Sequence, residues 1–597
     1  MTLASTVISM FKAVQGNRRV SQAPEPDVTF SRRHANSADG DSGDSAYLYR
    51  EKLSLILLAL GAIALLFWRL GAASLNDWDE AIYAQIAKEV VTTGDWLTLH
   101  WGYAPWFHKP PLFMWMTALG FKLFGVSEFW ARVPSAVSGV GLVGCTYAIA
   151  RKLYSRQDGS QDDSQNGSQD GNQNGNPALG HAIGLLSATV LLTNYTFIHF
   201  SRFGTTDITL TLFCYLAVYA YLHVHEGRQR AWYGVWAAVA LAMMTKGVAG
   251  VPVAIALFLT VLFTGRLMQA LRCRSFWLGI GLAGLIIVPW HWAMVAIHGQ
   301  AFIDQYLIYH VLERSTGGGL EGNDGGYFYY VSVLGKRFFP WVYLLPLALL
   351  QQARWLRQPK GSLGLVLLMF VGVVFGGFSL ASTKLAWYII PIYPAIAIWI
   401  GALLHQALVC KDRLVWMGLL ASGTIVMALF PTAIVFLPEA FTQTLTIVGL
   451  AGLMLLSVAV LEFGWRRQVL SIALCGLFIV AGIREIKGSY HGYARPVAML
   501  SQAAELPVTA DNPPKDMPLL VAKLSERLYT PTPLFYSNRP IAWVRSVADL
   551  AAATDTTRKQ DILLATTDIK DLSARFDIDV YAKEGALTYA GIRKRDL

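Results

Sequence analysis

LSLILLALGAIALL, residues 53–66, carries no charged side chain, and neither do residues 182–192 or 365–378. Apolar runs of about 20 residues read as membrane-spanning helices, because lipid offers backbone N–H and C=O groups no partner outside the helix. Over all 597 residues, 54% are hydrophobic, 12% aromatic and only 15% charged. A soluble domain carries about 25% charged residues. The decisive reading is therefore a polytopic, all-α membrane protein.

Outward from this first stretch, spans are expected at about 53–73, 129–150, 181–200, 208–225, 232–245, 248–264, 276–297, 338–352, 363–380, 386–405, 414–436, 441–461 and 468–485, about 13 in all. Lys and Arg set their direction. The loops expected inside hold Arg151 and Lys152; Arg228 and Arg230; Arg266, Arg272 and Arg274; Arg354, Arg357 and Lys360; Lys411 and Arg413; and Arg466 and Arg467. An odd count places the N-terminus in the cytoplasm and the C-terminus outside, in the plasma (inner) membrane. Residues 110–124, PPLFMWMTALGFKLF, are apolar enough to suggest a further span. Counting them would put every later basic loop outside, so they read as an interfacial helix.

The chain then divides into three parts. Residues 1–52, polar and basic with no apolar segment, are expected to be a disordered cytoplasmic tail and not a cleavable signal. Residues 53–487 form the membrane domain, with a first outer loop at 74–128 and a flexible cytoplasmic linker at 155–180. The core of that linker, 157–177, repeats Gln, Asp, Asn, Ser and Gly and cannot bury a core. Residues 488–597 contain strand-like runs, MPLLVAKL (517–524) and DILLATT (561–567), between helical stretches. They predict a small α/β domain on the outer face.

The net charge of +10 lies mostly in the short loops, so it reports orientation and argues against nucleic acid as a partner. Cys145, Cys214, Cys273, Cys410 and Cys475 lack ligand spacing and read as small core residues.

Charge at the end of a span is costly and tends to be functional. Four clusters fall at ends expected outside. NDWDEAIYAQIAKEV (76–90) brings Asp77, Asp79 and Glu80, and WGYAPWFHKPPLFMW (101–115) brings His108 and Lys109. An acidic group here can serve as a general base toward a hydroxyl, or simply cap the helix that follows. SRFGTTDITL (201–210) holds Arg202 and Asp207, which also suit a buried ion pair or a cap. MMTKGVAG (243–250) sets Lys246 in a tight apolar turn. That lysine suits an anionic ligand such as a phosphate, or snorkels to the interface. IYHVLERSTGGG (308–319) carries His310, Glu313 and Arg314, and LASTKLAWYIIPIYP (380–394) carries Lys384 and Tyr388. Arg matches phosphate with a fork of donors. His310 and Glu313, i and i+3 on one helix, leave a divalent metal open but unassigned. Trp101, Trp106, Phe107, Trp341 and Trp387 read as an interfacial aromatic belt.

In order along the chain, these clusters resemble the GT-C superfamily of membrane glycosyltransferases. The likeness is to the bacterial branch that includes the lipid A aminoarabinose transferases and relatives of the protein O-mannosyltransferases. Asp79-Glu80 with Tyr83-Ala84 resembles its DE-x-x-YA motif, and Phe107-His108-Lys109-Pro110-Pro111 its FEKPP segment. Arg202 to Asp207 resembles R-x4-D, and Thr245-Lys246-Gly247 resembles TKG. His310-x-x-Glu313-Arg314 and Lys384-Leu385-x-x-Tyr388 are similar to later motifs. One departure stands out: the FEKPP glutamate, a metal ligand in aminoarabinose transferases, is His108 here. Metal binding therefore does not carry over, and His108, His310 and Glu313 are only its candidate ligands.

The resemblance implies an inverting transfer of a pentose or hexose from a polyprenyl-phosphate donor to a lipid, glycan or protein acceptor at the extracytoplasmic face. Asp79, with Glu80 and Asp207, would do the acid–base work. Lys109, Lys246, Arg314, Lys384 and Tyr388 would hold the donor phosphate, with Arg202, His108, His310 and Glu313 in support. Asp207 would orient Arg202 or the acceptor. Apart from the resemblance, STGGGLEG (315–322) lies in an expected outer loop and reads as a flexible lid for the donor. A transporter or flippase of a lipid-linked or anionic substrate is the alternative. It predicts internal repeats and broken helices meeting near the midplane, and the sequence shows no such repeat.

Overall fold

The computed structural model describes residues 40–76, 78–155, 176–313, 325–338, 341–357, 363–408, 518–522, 532–537, 539, 541–554, 556, 559–584 and 587–595. The spans expected at 414–436, 441–461 and 468–485 lie outside the described residues. So do residues 1–39 of the tail, 156–175 of the linker, Asp77, Arg314, the STGGGLEG loop, Cys410 and Cys475.

Helix α1 runs Gly40–Phe67 and so begins inside the segment expected to be disordered. Helix propagation is favourable once nucleated, and the Glu51 carboxylate is held by Arg151 at 2.6 Å. The chain then enters α2 (Asp79–Thr93), a hairpin of β1 (His100–Trp101) and β2 (Ala104–Pro105), and α3 (Leu112–Phe124). The 13 residues of α3 reach about 20 Å at 1.5 Å per residue, short of a hydrocarbon core of about 30 Å. It remains a separate short helix, as the charge alternation required.

Helix α4 (Glu128–Tyr154) starts at Ser127, whose Oγ accepts from Trp130 N at 3.4 Å. Helix α5 (Pro177–Leu192) begins inside the expected linker, because Asn176 caps it and a proline occupies its first turn. Asn194 caps the next short helix, α6 (Tyr195–Ser201), which is bent by 72° from α5. There follow α7 (Thr206–His225), α8 (Trp232–Lys246), α9 (Val251–Phe263) and α10 (Arg274–His298). A π-helix covers Ile303–Glu313. Helices α11 (Tyr329–Arg337), α12 (Leu345–Leu356) and α13 (Leu365–Leu380) come next, then a 3-10 run Ala386–Ile392 that leads into α14 (Tyr393–Leu408).

Among the described residues, five helical runs are long and apolar enough to cross a membrane, or up to seven if each bent pair is one span. One of the five, Gln229–Phe263, is folded back on itself. A Cβ at Gly250 would stand 2.6 Å from Met243 N, so the chain reverses tightly there. The two far ends meet as well. Arg266 Nη1 donates to His225 O at 2.8 Å, and Trp232 and Val261 line one cavity with Arg266. Helices α8 and α9 are thus the arms of a hairpin with Lys246 at its tip.

The two ends of the bundle differ in chemistry. At one end the basic loops meet: Arg151 pairs with Glu51, Lys152 with Glu226 at 2.6 Å, and Arg266 caps α7. At the other end lie the tip of the α8–α9 hairpin, the start of α7 and the start of α2.

Beyond the membrane helices stands a five-stranded sheet of order β4-β3-β5-β7-β6. Strand β3 (Leu519–Ala522) runs parallel to β4 (Ile541–Val544) and β5 (Gln560–Ala565). Strand β7 (Leu587–Lys594) is antiparallel to β5 and to β6 (Phe576–Glu584). Alternation sends Leu519 and Val521 into one apolar cluster and Leu520 and Ala522 into the other. Helices α15 (Thr532–Ser537), α16 (Val547–Ala553) and the short α17 (Ile569–Leu572) accompany the sheet among the described residues.

Helix α15 docks on the first loop. Phe535 and Tyr536 join a core with Tyr83, Ile86, Trp106 and Phe113. Tyr536 Oη accepts from Leu75 N at 2.9 Å and donates to Glu128 Oε1 at 2.9 Å, while Lys88 Nζ donates to Phe535 O at 2.6 Å. Burial, with Glu128 beside it, pushes the Tyr536 phenol up, so it stays protonated and able to donate. The α/β unit therefore sits at the same end of the bundle as α2.

Candidate active site

The charges of α2, α7 and the α8–α9 hairpin gather at that end. Lys246 Nζ donates to Asp207 Oδ1 at 2.6 Å, with side chains only 11% and 4% exposed. Asp207 lies in the first turn of α7 and Lys246 in the last turn of α8. Each therefore occupies the helix end whose dipole favours its charge. Tyr388 presents its ring to the Lys246 ammonium at 5.6 Å. Nearby, Lys109 Nζ stands 3.6 Å from Asp79 Oδ2, with side chains 19% and 39% exposed. The same ammonium sits 4.4 Å from the centre of the Tyr83 ring.

Packing joins them. Gly247 has φ +58°, and a Cβ there would stand 2.9 Å from Tyr306 Oη and 3.7 Å from Pro110 Cδ. The tip thus touches both the His108-Lys109-Pro110 segment and the π-helix. Tyr306 is itself held. His291 Nδ1 donates to Ile287 O at 2.8 Å, which leaves Nε2 to accept from Tyr306 Oη at 3.1 Å. Gly247→Ala is expected to destabilise the chain by about 1–3 kcal/mol and to displace Lys246. Thermal unfolding together with transfer rate would show both, and a variant matching wild type in each would remove the tip geometry from the site.

Glu80 is fully buried and is not placed like a base. Its Oε1 accepts from Arg132 Nε (2.7 Å) and Gly204 N (2.8 Å), and its Oε2 from Arg132 Nη2 (3.1 Å) and Asn76 N (2.7 Å). Arg132 also donates to Leu70 O, Ala73 O and Ser74 O, so all five of its N–H donors are used. This pair ties together the end of α1, the start of α2, α4 and the loop before α7.

Arg202 and Asp207 do not pair with one another. Arg202 Nη1 donates to Leu65 O and Leu66 O, and Nη2 to Trp68 O at 2.7 Å, closing the carbonyls that α1 leaves open. Asp207, expected to orient Arg202 or the acceptor, bonds to Lys246 and not to Arg202. Lys384 is buried and donates to Ala381 O at 2.6 Å, while Tyr388 of the same segment reaches the Lys246 ammonium. His108 is exposed and stacked on Trp106 at 4.9 Å.

Glu313 is exposed, and the His310 side chain lies outside the described residues. The element holding them is a π-helix, whose hydrogen bonds close at i→i+5. Among the described residues no group of three or more His, Cys, Asp or Glu is arranged to hold a metal ion.

Arg132, the Tyr306–His291 pair and Tyr536 were not among the residues expected at the site. Arg132 falls inside a span expected from residue 129, and a charge there demands a partner. That was its readable signal. The other contacts join segments far apart in sequence and leave no local pattern.

A helical bundle with paired charges gathered at one end, and an α/β unit docked beside them, defines the class: a polytopic membrane protein with the GT-C fold. The solved structure of ArnT from Cupriavidus metallidurans bound to undecaprenyl phosphate shares that fold, with a TM-score of 0.71, 21% identity, and coverage of 90% of this chain and 97% of that one. Its apo state matches with a TM-score of 0.65 at 20% identity.

In sequence the chain is similar to arabinosyl transferases, among other proteins. Residues 108–160 and 176–292 match the family described as dolichyl-phosphate-mannose-protein mannosyltransferase. The chain is 30% identical over 371 residues to the undecaprenyl phosphate-alpha-4-amino-4-deoxy-L-arabinose arabinosyl transferase 1 of Pseudomonas fluorescens, covering 61% of this chain and 62% of that one. It is 28% identical to the corresponding transferase of Pseudomonas aeruginosa, over 60% of each. The match spans less than two thirds of the length of these relatives.

Proposed function

We propose that this protein is an inverting glycosyltransferase that moves a pentose or hexose from a polyprenyl-phosphate donor to a lipid, glycan or protein acceptor. The carrying observation is the joined constellation of Asp79–Lys109 and Asp207–Lys246 at the end of the bundle where the α/β unit docks. The named activities of the relatives support the same reading. In this proposal the full chain crosses the membrane about 13 times, the site and residues 488–597 face the extracytoplasmic side, and the N-terminus is cytoplasmic. The gathering of basic loops at the opposite end supports that orientation.

Each residue then takes a role from its exposure. Asp79, the more open carboxylate, takes the proton from an acceptor hydroxyl. That oxygen attacks the anomeric carbon from the face opposite the phosphate. The bond from carbon to the phosphate oxygen breaks, and its electron pair leaves with the lipid phosphate. The transition state resembles an oxocarbenium ion, as in glycoside hydrolysis. Lys246, oriented by the buried Asp207, stabilises the departing phosphate, with Tyr388 against its ammonium and Arg314 and Lys384 as further cations. Lys109 exchanges Asp79 for the donor phosphate, which frees the base as the donor binds. Glu80, fully enclosed, positions the turn that carries Asp79 and does not itself move a proton.

Lys246→Met tests this directly. A fixed donor to a developing oxyanion contributes about 2.7–4 kcal/mol, a factor of about 10²–10³ in rate. Transfer from an undecaprenyl-phosphate-linked sugar in proteoliposomes should fall on that scale. A variant with the wild-type rate would leave Lys246 without a part in leaving-group stabilisation. Mass spectrometry of envelope glycans and lipid-linked sugars, with and without the gene, would name donor and acceptor.

A further inference from the structure

The geometry points to Trp78 as an aromatic platform for the acceptor's sugar ring, set beside the base. This rests on the transferase reading above and deepens it. Among the described residues only three other than glycine have positive φ: Arg69, Trp78 and Tyr103. Trp78 has φ +69° and ψ −127°, a conformation open to glycine and strained for any residue with a Cβ. It immediately precedes Asp79, and it leaves the large indole residue 59% exposed.

Such strain persists only where the surroundings over-determine it, and here they do. The Trp78 carbonyl accepts from Ile82 N at 2.9 Å, opening the helix. On the other side, Asn76 N donates to Glu80 Oε2 at 2.7 Å and Asn76 O accepts from Ala81 N at 3.2 Å. Glu80 is in turn fixed by Arg132. A buried, fully hydrogen-bonded ion pair thus holds a turn in which an exposed indole residue immediately precedes, in the chain, the partly exposed carboxylate of Asp79. Glycine would fit the backbone better.

An indole supplies a broad face with negative potential. The C–H groups on one side of a pyranose or furanose ring carry the complementary positive edge. Stacked on Trp78, an acceptor sugar would present a hydroxyl toward Asp79, its ring plane fixed while the proton leaves. The ligand class is therefore a carbohydrate acceptor, and the residue sets acceptor affinity, not donor affinity.

Trp78→Gly separates this role from a structural one, because glycine relieves the strain while removing the ring. The full chain in proteoliposomes would be assayed with a synthetic undecaprenyl-phosphate-linked pentose as donor and lipid A as acceptor probe, beside Trp78→Phe and Asp79→Asn. Trp78→Gly is expected to keep the thermal midpoint and the donor KM, and to raise the acceptor KM about tenfold or more. Trp78→Phe should recover part of the loss. An unchanged acceptor KM in Trp78→Gly, with Asp79→Asn inactive, overturns the platform and leaves the transferase reading standing. A fall in thermal midpoint and kcat with no change in acceptor KM also overturns it, assigning Trp78 a purely structural part. If the wild-type chain transfers nothing from this donor, the transferase reading fails for this substrate pair and the platform falls with it.

Discussion

Asp79→Asn is expected to lower transfer by about 10²–10⁴-fold, the range a positioned general base contributes, while the fold survives. The side chain is 39% exposed and its contact with Lys109 is a loose 3.6 Å. An exposed pair of this kind contributes little to stability, so a neutral isostere should unfold near the wild-type midpoint. The loss should fall on kcat. Lys109 gives up a competing carboxylate in the variant, so the donor should bind as well as before or better. Steady-state kinetics in proteoliposomes, varying donor at saturating acceptor, would show that split. A donor KM raised in proportion to the lost rate would instead make Asp79 a binding residue and move the base elsewhere. Asp207→Asn is the useful contrast. Its carboxylate is 4% exposed and only 2.6 Å from Lys246, so its removal disturbs a cation and not a proton acceptor.

The helical character of the chain was legible in the sequence because it follows from two coarse signals. Hydropathy marked apolar helices, and the Lys and Arg of the loops set which apolar runs were expected to cross. Together they separated α3, a short apolar helix, from the spans, and they required residues 232–264 to fold back at Lys246. The structure shows that reversal in the contact between Gly250 and Met243 and in the return of Arg266 to His225. Boundaries were less legible. Residues 40–52 are polar, yet they extend α1, because an established helix propagates at little cost.

The candidate site was legible as a set of residues and only partly as a set of pairs. Asp79, Lys109, Asp207, Lys246 and Tyr388 do come together. The spacing of Arg202 and Asp207 suggested an ion pair or a cap, but α6 ends just before Arg202 and α7 begins at Thr206, and each side chain finds another partner across that turn. Arg202 reaches the open end of α1, and Asp207 reaches a lysine from another helix. The i,i+3 spacing of His310 and Glu313 assumed an α-helical period that the π-helix does not have. Partnerships across distant segments carry no periodicity, and Glu80 is the clearest case. Its neighbours in sequence made it look like a second catalytic acid, while its partners lie at positions 76, 132 and 204.

Those partners make Arg132→Met the change with the largest expected effect on stability, about 3–5 kcal/mol. Arg132 and Glu80 are 1% and 0% exposed, so deleting the guanidinium leaves an uncompensated buried carboxylate. It also strips donors from three backbone carbonyls, at Leu70, Ala73 and Ser74. Glu80→Gln should fall in the same range, since its amide would present N–H groups to a guanidinium that can only donate. A buried pair is often replaceable by two apolar residues without loss. That rescue should fail here, because Gly204 N and Asn76 N would lose their acceptor as surely as the carbonyls lose their donor. Each single variant should therefore be nearly as unstable as the double, giving a large coupling energy in a double-mutant cycle. Thermal unfolding and the monodisperse fraction in detergent would measure it. If Arg132→Met unfolds at the wild-type midpoint, the turn carrying Trp78 and Asp79 is held by something other than this ion pair, and the placement of the base loses its physical cause.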